Sequence, residues 1–176
     1  MMVAMIWTAP AISRIDPPQL ADERTTVDSW LDYHRATLLM KCAGLTGEQL
    51  ARRATPPSSM SLLGLLRHLS DVERSWFLLR LHGQPWQPQH WTDEHPDGDF
   101  DLVDPAGAEA DHHDYLAALA DVRPVAARYE LTDTFEHPRH GTMSVRWLYL
   151  HLIEEYARHN GHADLLREAI DGATGE

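Results

Sequence analysis

The chain has 176 residues, 43% of them hydrophobic, enough for a single domain over residues 1–176 with its own core and no disulfide staples. Its 15 Lys and Arg against 27 Asp and Glu give a formal net charge of -12. No basic run is denser than Arg52-Arg53, which excludes nucleic acid as the main partner, because neutralised phosphates supply most of that affinity.

The lone cysteine, Cys42, rules out a disulfide framework and a multi-cysteine zinc site, and it fits a reducing cytoplasm. No run approaches the ~20 apolar residues that span a bilayer. The apolar opening from Met1 to Trp7 lacks a basic n-region and runs into Pro10 rather than a cleavage site. A cytoplasmic protein without membrane contact is expected, with Met2 or Met5 as alternative starts.

The first ~20 residues end in Asp16-Pro17-Pro18 and read as an extended arm, since paired prolines oppose helix. From about Asp22 a helical period begins, with Val27, Leu31, His34, Leu38, Cys42 and Leu45 on one stripe. Thr46-Gly47-Glu48-Gln49 has the form of a capping box, and Pro56-Pro57 ends the short turn it opens. A second helix is expected from near Ser61 to about His82, stopped by Gly83, with Leu62, Leu65, Leu69, Val72, Trp76 and Leu79 as its stripe. Residues 84–107, rich in proline and acid, read as a long loop or lid. Asp104-Pro105 offers an N-cap and N1 proline for an alanine-rich third helix interrupted or kinked at Pro124. Residues 130–143 read as a polar connection. Ser144 caps the last helix and Gly172 ends it. With no strand-like alternation, the expected fold is an all-α four-helix bundle.

The last helix breaks its own pattern. Positions 148, 152, 155, 159, 162 and 166 of its stripe read Leu, Leu, Glu, His, His, Leu. Burying a carboxylate without a partner costs several kcal/mol, so these groups need something to pair with. Glu155 and His159 lie one turn apart on one face, where a carboxylate oxygen and an imidazole nitrogen can reach one ion about 2 Å from each. The third ligand must come from another helix, and spacing leaves both His68 and His34 open. His162 is a fourth ligand or a hydrogen-bond partner of one, and His151 lies toward the edge of the stripe. His112-His113 and the loop histidines His90, His95, His137 and His140 read as solvated surface, and Trp30, Trp76 and Trp147 as core packing.

The segment Ile153-Glu154-Glu155-Tyr156-Ala157-Arg158-His159-Asn160-Gly161-His162 together with Ser61-Leu62-Leu63-Gly64-Leu65-Leu66-Arg67-His68-Leu69 resembles the DinB/YfiT-like superfamily, in its actinobacterial branch. Trp7-Thr8-Ala9-Pro10 and Asp32-Tyr33-His34-Arg35-Ala36-Thr37 resemble that branch too. The resemblance implies a four-helix bundle holding a metal through one histidine of the second helix and two residues, four apart, of the last. In the version resembling mycothiol-dependent maleylpyruvate isomerase, the first of that pair is glutamate. The resemblance thus implies His68, Glu155 and His159 as ligands and selects His68 over His34. His162 stands where a glutamine is common, so no role for it is inherited.

Relatives of this type include S-transferases for low-molecular-weight thiols: mycothiol, bacillithiol or glutathione. The resemblance implies a mycothiol-class thiol held as a thiolate on the metal and a small electrophile that it attacks, with His34 or His162 as candidate catalytic groups that shuttle protons or orient a ligand. Three protein ligands leave a position open for chemistry. Zinc suits the mixed N/O set best, with nickel or iron as fits. Two other classes stay open: a stress-related metal-binding bundle without catalysis, acting as a homodimer, and a metal-dependent hydrolase.

Overall fold

The computed structural model describes residues 6–175, so the expectations for Met1 to Met5 lie outside it. The chain is mostly helical. Helix α1 (Glu23–Cys42) starts where the Asp22 side chain accepts from the Thr25 N–H. The capping box at Thr46 and Gln49 opens α2 (Gly47–Ala51). Helix α3 (Leu62–Arg74) is capped by Ser61 and continues as a π-helical segment, Ser75–Leu81. A short α4 (Gly98–Asp101) and a 3₁₀ turn at Pro105–Gly107 precede α5 (Ala108–Ala126). Helix α5 runs through Pro124 rather than stopping there. Helix α6 (Val145–Asp171) begins at its Ser144 cap and ends at Gly172 in the left-handed region, φ 79°, where a Cβ would be strained.

Contacts between side chains give the helix directions. Glu23 meets Arg146 and Lys41 meets Asp164, so α1 and α6 run the same way. Arg67 meets Asp111 and Arg74 meets Asp121, so α3 and α5 are parallel too. His68 lies by Glu155 while Phe77 packs on Tyr149, so α3 and α6 are antiparallel. Consecutive long helices that run in parallel need a crossover returning along the helix length. This is why residues 84–107 are so long. The crossover is a strap rather than a free lid: Asp71 accepts from the backbone N–H groups of Gln89 and His90 (3.1 and 3.0 Å), and Arg67 donates to the carbonyls of Gly98 and Asp99 (3.2 and 3.1 Å).

Two expectations are corrected. The π-helical hydrogen bonds add one residue per turn, which shifts the buried stripe of the second helix. Phe77, Leu78 and Leu81 point into the core where Trp76 and Leu79 were expected, and Trp76 turns toward α6 to meet His151. The second correction concerns 130–143, which is not a plain connection. Strands β1 (Thr134–His137) and β2 (Gly141–Ser144) form an antiparallel hairpin with Phe135 opposite Met143, and both of those side chains are buried.

The core also holds an ion pair that the sequence did not suggest. Arg35 donates from Nε and Nη2 to the two carboxylate oxygens of the fully buried Glu73, each at 2.6 Å. Tyr156 donates to Glu73 Oε1 at 2.9 Å, and its hydroxyl lies 2.9 Å from that of Tyr115. One network therefore ties α1, α3, α5 and α6 together.

Candidate metal centre

His68 sits mid-way along α3, where the strap crosses it. The crossing is close because residue 64 is glycine: a Cβ there would stand 2.7 Å from Phe100 Cδ1 and 3.3 Å from the Asp99 carbonyl oxygen. Arg67 holds the strap backbone, and Asp99 then faces the neighbouring imidazole. Asp99 Oδ2 lies 2.8 Å from His68 Nδ1, while its Oδ1 accepts from the Phe100 N–H at 3.0 Å. A carboxylate at Nδ1 fixes the proton there. His68 Nε2 then faces Glu155 Oε1, 3.4 Å away, free to donate a proton to it or to ligate an ion in its place.

Glu155 and His159 come from successive turns of α6, and His159 Nε2 lies 3.3 Å from the same Glu155 oxygen. Nδ1 of His159 faces Nδ1 of His162 at 3.4 Å. One donor atom each from His68, Glu155 and His159 lie within 4.8 Å of one another. A divalent ion fits this donor set. Two ligand atoms each about 2.05 Å from a tetrahedral ion stand about 3.3 Å apart, which matches the spacing of both imidazole nitrogens from Glu155 and is too long for a strong hydrogen bond.

The electrostatics favour a positive charge here. Burial opposes charge on His68, yet hydrogen bonds to Asp99 and Glu155 outweigh it and carry the imidazole pKa up to about 9. Hydrogen bonds from His159 and His68, against the effect of burial, hold the Glu155 carboxyl well below the usual carboxylate range. Two carboxylates thus bracket one part-buried imidazole.

Residues 26–172 match the family described as Mycothiol-S-transferase. The chain belongs to the mycothiol-S-transferase family. No curated protein matches it. The match covers His68, Asp99, Glu155, His159 and His162 and begins beyond the N-terminal arm. The family name implies a thiol partner, and no helix among the described residues is long and apolar enough to cross a membrane.

Within this mycothiol-S-transferase family member the other histidines separate clearly. His34 lies apart from the cluster: its ring faces Asn160 Nδ2 at 3.4 Å and packs against Trp30 and Tyr33. His151, Glu154 and Glu155 form a second group of potential donors, but Glu154 is exposed and paired with Arg158. His90 and His112 are not solvated surface: His90 is tied to Asp114 at 3.3 Å, and His112 is buried against Trp7. Trp30 and Trp147 are 43% and 45% exposed rather than core.

Asp99 is the residue of the candidate site that sequence reasoning missed. It is an aspartate in an acidic loop, with no spacing relation to the helices, and only the crossover brings it to His68. Partners that orient a ligating histidine are typically worth 10–100-fold in metal affinity. Asp99→Asn should therefore weaken binding by about that factor, read by competition with a chromogenic chelator. An unchanged affinity would mean that Asp99 serves only to dock the strap.

Proposed function

We propose that the protein is a metal-dependent S-transferase, a single four-helix-bundle domain of the DinB-like type that works in the cytoplasm on a low-molecular-weight thiol of the mycothiol class and a small electrophile. One observation carries this reading: donor atoms from two antiparallel helices converge at tetrahedral spacing, inside a chain that belongs to a family named for mycothiol. A divalent ion, zinc by the chemistry of an N/N/O donor set, would be held by His68, Glu155 and His159 and would supply a Lewis acid that keeps a thiol as its thiolate.

The chain's own groups prepare the site. Asp99 fixes the tautomer and ring orientation of His68. His162, its pKa lowered by burial and by His159 and Arg158, does the same for His159, so we assign it an orienting role and give His34 none. The Phe100 ring, 5.5 Å from that of His68, screens the strap side from water. Cys42 does not compete as a nucleophile, because burial pushes its thiol up to about 12.

Cobalt substitution tests the reading. A thiolate on cobalt gives a charge-transfer band that oxygen and nitrogen ligands do not. Adding mycothiol or its cysteinyl-glucosamine fragment to cobalt-loaded protein should produce that band and release about one proton per site, with glutathione weaker. The same result in Cys42→Ala would exclude the protein thiol as its source. No spectral change at millimolar thiol, with ester or amide hydrolysis detected, would replace the transferase by a hydrolase. Neither activity would leave a metal-binding bundle.

A further inference from the structure

The line of facing side chains from α3 and α6 does not end at the candidate metal centre. Trp76 lies about two turns beyond His68, in the π-helical segment that continues α3. His151 and Trp147 lie one and two turns before Glu155 on α6, at the i,i+4 spacing that keeps side chains on one face. Their rings form a continuous shelf: Trp147 stacks on His151 at 5.0 Å and 19°, and Trp76 meets His151 edge-on at 4.8 Å. His137 of the hairpin stacks on Trp76 at 5.5 Å and 25°. Trp147 is 45% exposed and borders a cleft of about 410 Å³ whose other walls are His140, Thr142, Met143 and Ser144.

A tryptophan left this open on a helix outside the core leaves apolar area in water unless something covers it. The surroundings restrict what that is. Imidazoles and hydroxyl side chains rim the shelf, which suits a ligand with apolar faces and polar edges better than a plain hydrocarbon. Saturated sugar and cyclitol rings have that character: their C–H faces pack on indole and imidazole while their hydroxyls reach sideways.

The distances agree. At 1.5 Å rise per residue, His151 lies about 6 Å and Trp147 about 12 Å along the helix from Glu155. A cysteinyl spacer reaches roughly 6 Å from its sulfur to the next ring. Resting on the transferase reading above, we propose that this shelf binds the glycosyl part of the thiol, the amino-sugar ring over His151 and the second ring, an inositol, over Trp147.

Glucosaminyl-inositol, which has no sulfur, reads the shelf independently of the centre. Calorimetry on metal-loaded protein should show saturable binding that falls at least tenfold in Trp147→Ala and largely returns in Trp147→Phe. In the cobalt experiment the same Trp147→Ala change should weaken mycothiol at least tenfold, leave free cysteine unchanged and leave metal content intact. Equal losses for mycothiol and cysteine would overturn the proposal, as would no effect on mycothiol or a loss confined to a dinitroarene electrophile. Failure of every thiol to perturb cobalt would sink the transferase reading instead, and the sulfur-free ligand would still decide the shelf.

Discussion

Replacing His159 with alanine should abolish stoichiometric metal binding, taking about one divalent ion per chain to a small fraction of one, as measured by mass spectrometry of the purified protein. His159 is the most buried of the three donors, with 9% of its side chain exposed. Removing it leaves a two-ligand remnant, His68 and Glu155, that water can compete with. The group formed by His151, Glu154 and Glu155 gives the contrast. It shares Glu155 with the main cluster, so Glu155→Gln weakens binding under either arrangement. His151→Gln separates them, and it should cost far less than Glu155→Gln in a chelator competition. Full metal in His159→Ala together with loss in His151→Gln would place the ion on the exposed group.

The second large effect is on stability and does not involve the metal. Glu73→Ala should lower stability by about 3–5 kcal/mol, the usual result of stranding one partner of a buried ion pair. Arg35 would keep its charge in the core, since burial works against that charge and Glu73 is what holds its pKa well above the ordinary arginine value. Tyr156 would also lose its acceptor. For a chain of this size the melting temperature should fall on the order of 10 °C. The double change Arg35→Met with Glu73→Leu should recover much of the loss, because apolar replacement of a whole buried pair is often neutral. Urea unfolding of the three proteins checks this, and a double variant no better than Glu73→Ala would show that the network contributes more than charge compensation.

What was legible in the sequence depended on local periodicity. The caps at Thr46, Ser144 and Gly172 all act where the residue types indicated, because a cap is a chemistry of four or five adjacent residues. The run Leu, Leu, Glu, His, His, Leu along α6 exposed Glu155 and His159 because charge on an apolar stripe is visible within one helix. Choosing His68 over His34 needed the family resemblance, since spacing within separate helices does not say which faces converge. The rest was invisible for reasons of range. Asp99 reaches His68 across 31 residues and Arg35 reaches Glu73 across 38. In the hairpin, four-residue strands bury little more than Phe135 and Met143, too few positions to show alternation. The π-helical segment displaced Trp76 by changing the very period used to place it.

The parallel course of α3 and α5 has a consequence for how the protein is made and maintained. The residues that gather at His68 stand 31 and 87 positions away along the chain, so no hairpin or pair of consecutive helices contains the cluster. Such non-local closure is slow to form, because loop entropy is lost before any contact repays it. An ion held at the assembled cluster, as proposed, would therefore favour the finished fold over species in which the cluster has not formed. By mass action each tenfold excess of free metal over the dissociation constant adds about 1.4 kcal/mol to the native state. Metal scarcity in the cell would then act first on the lifetime of the folded protein, before it was felt as a missing catalyst.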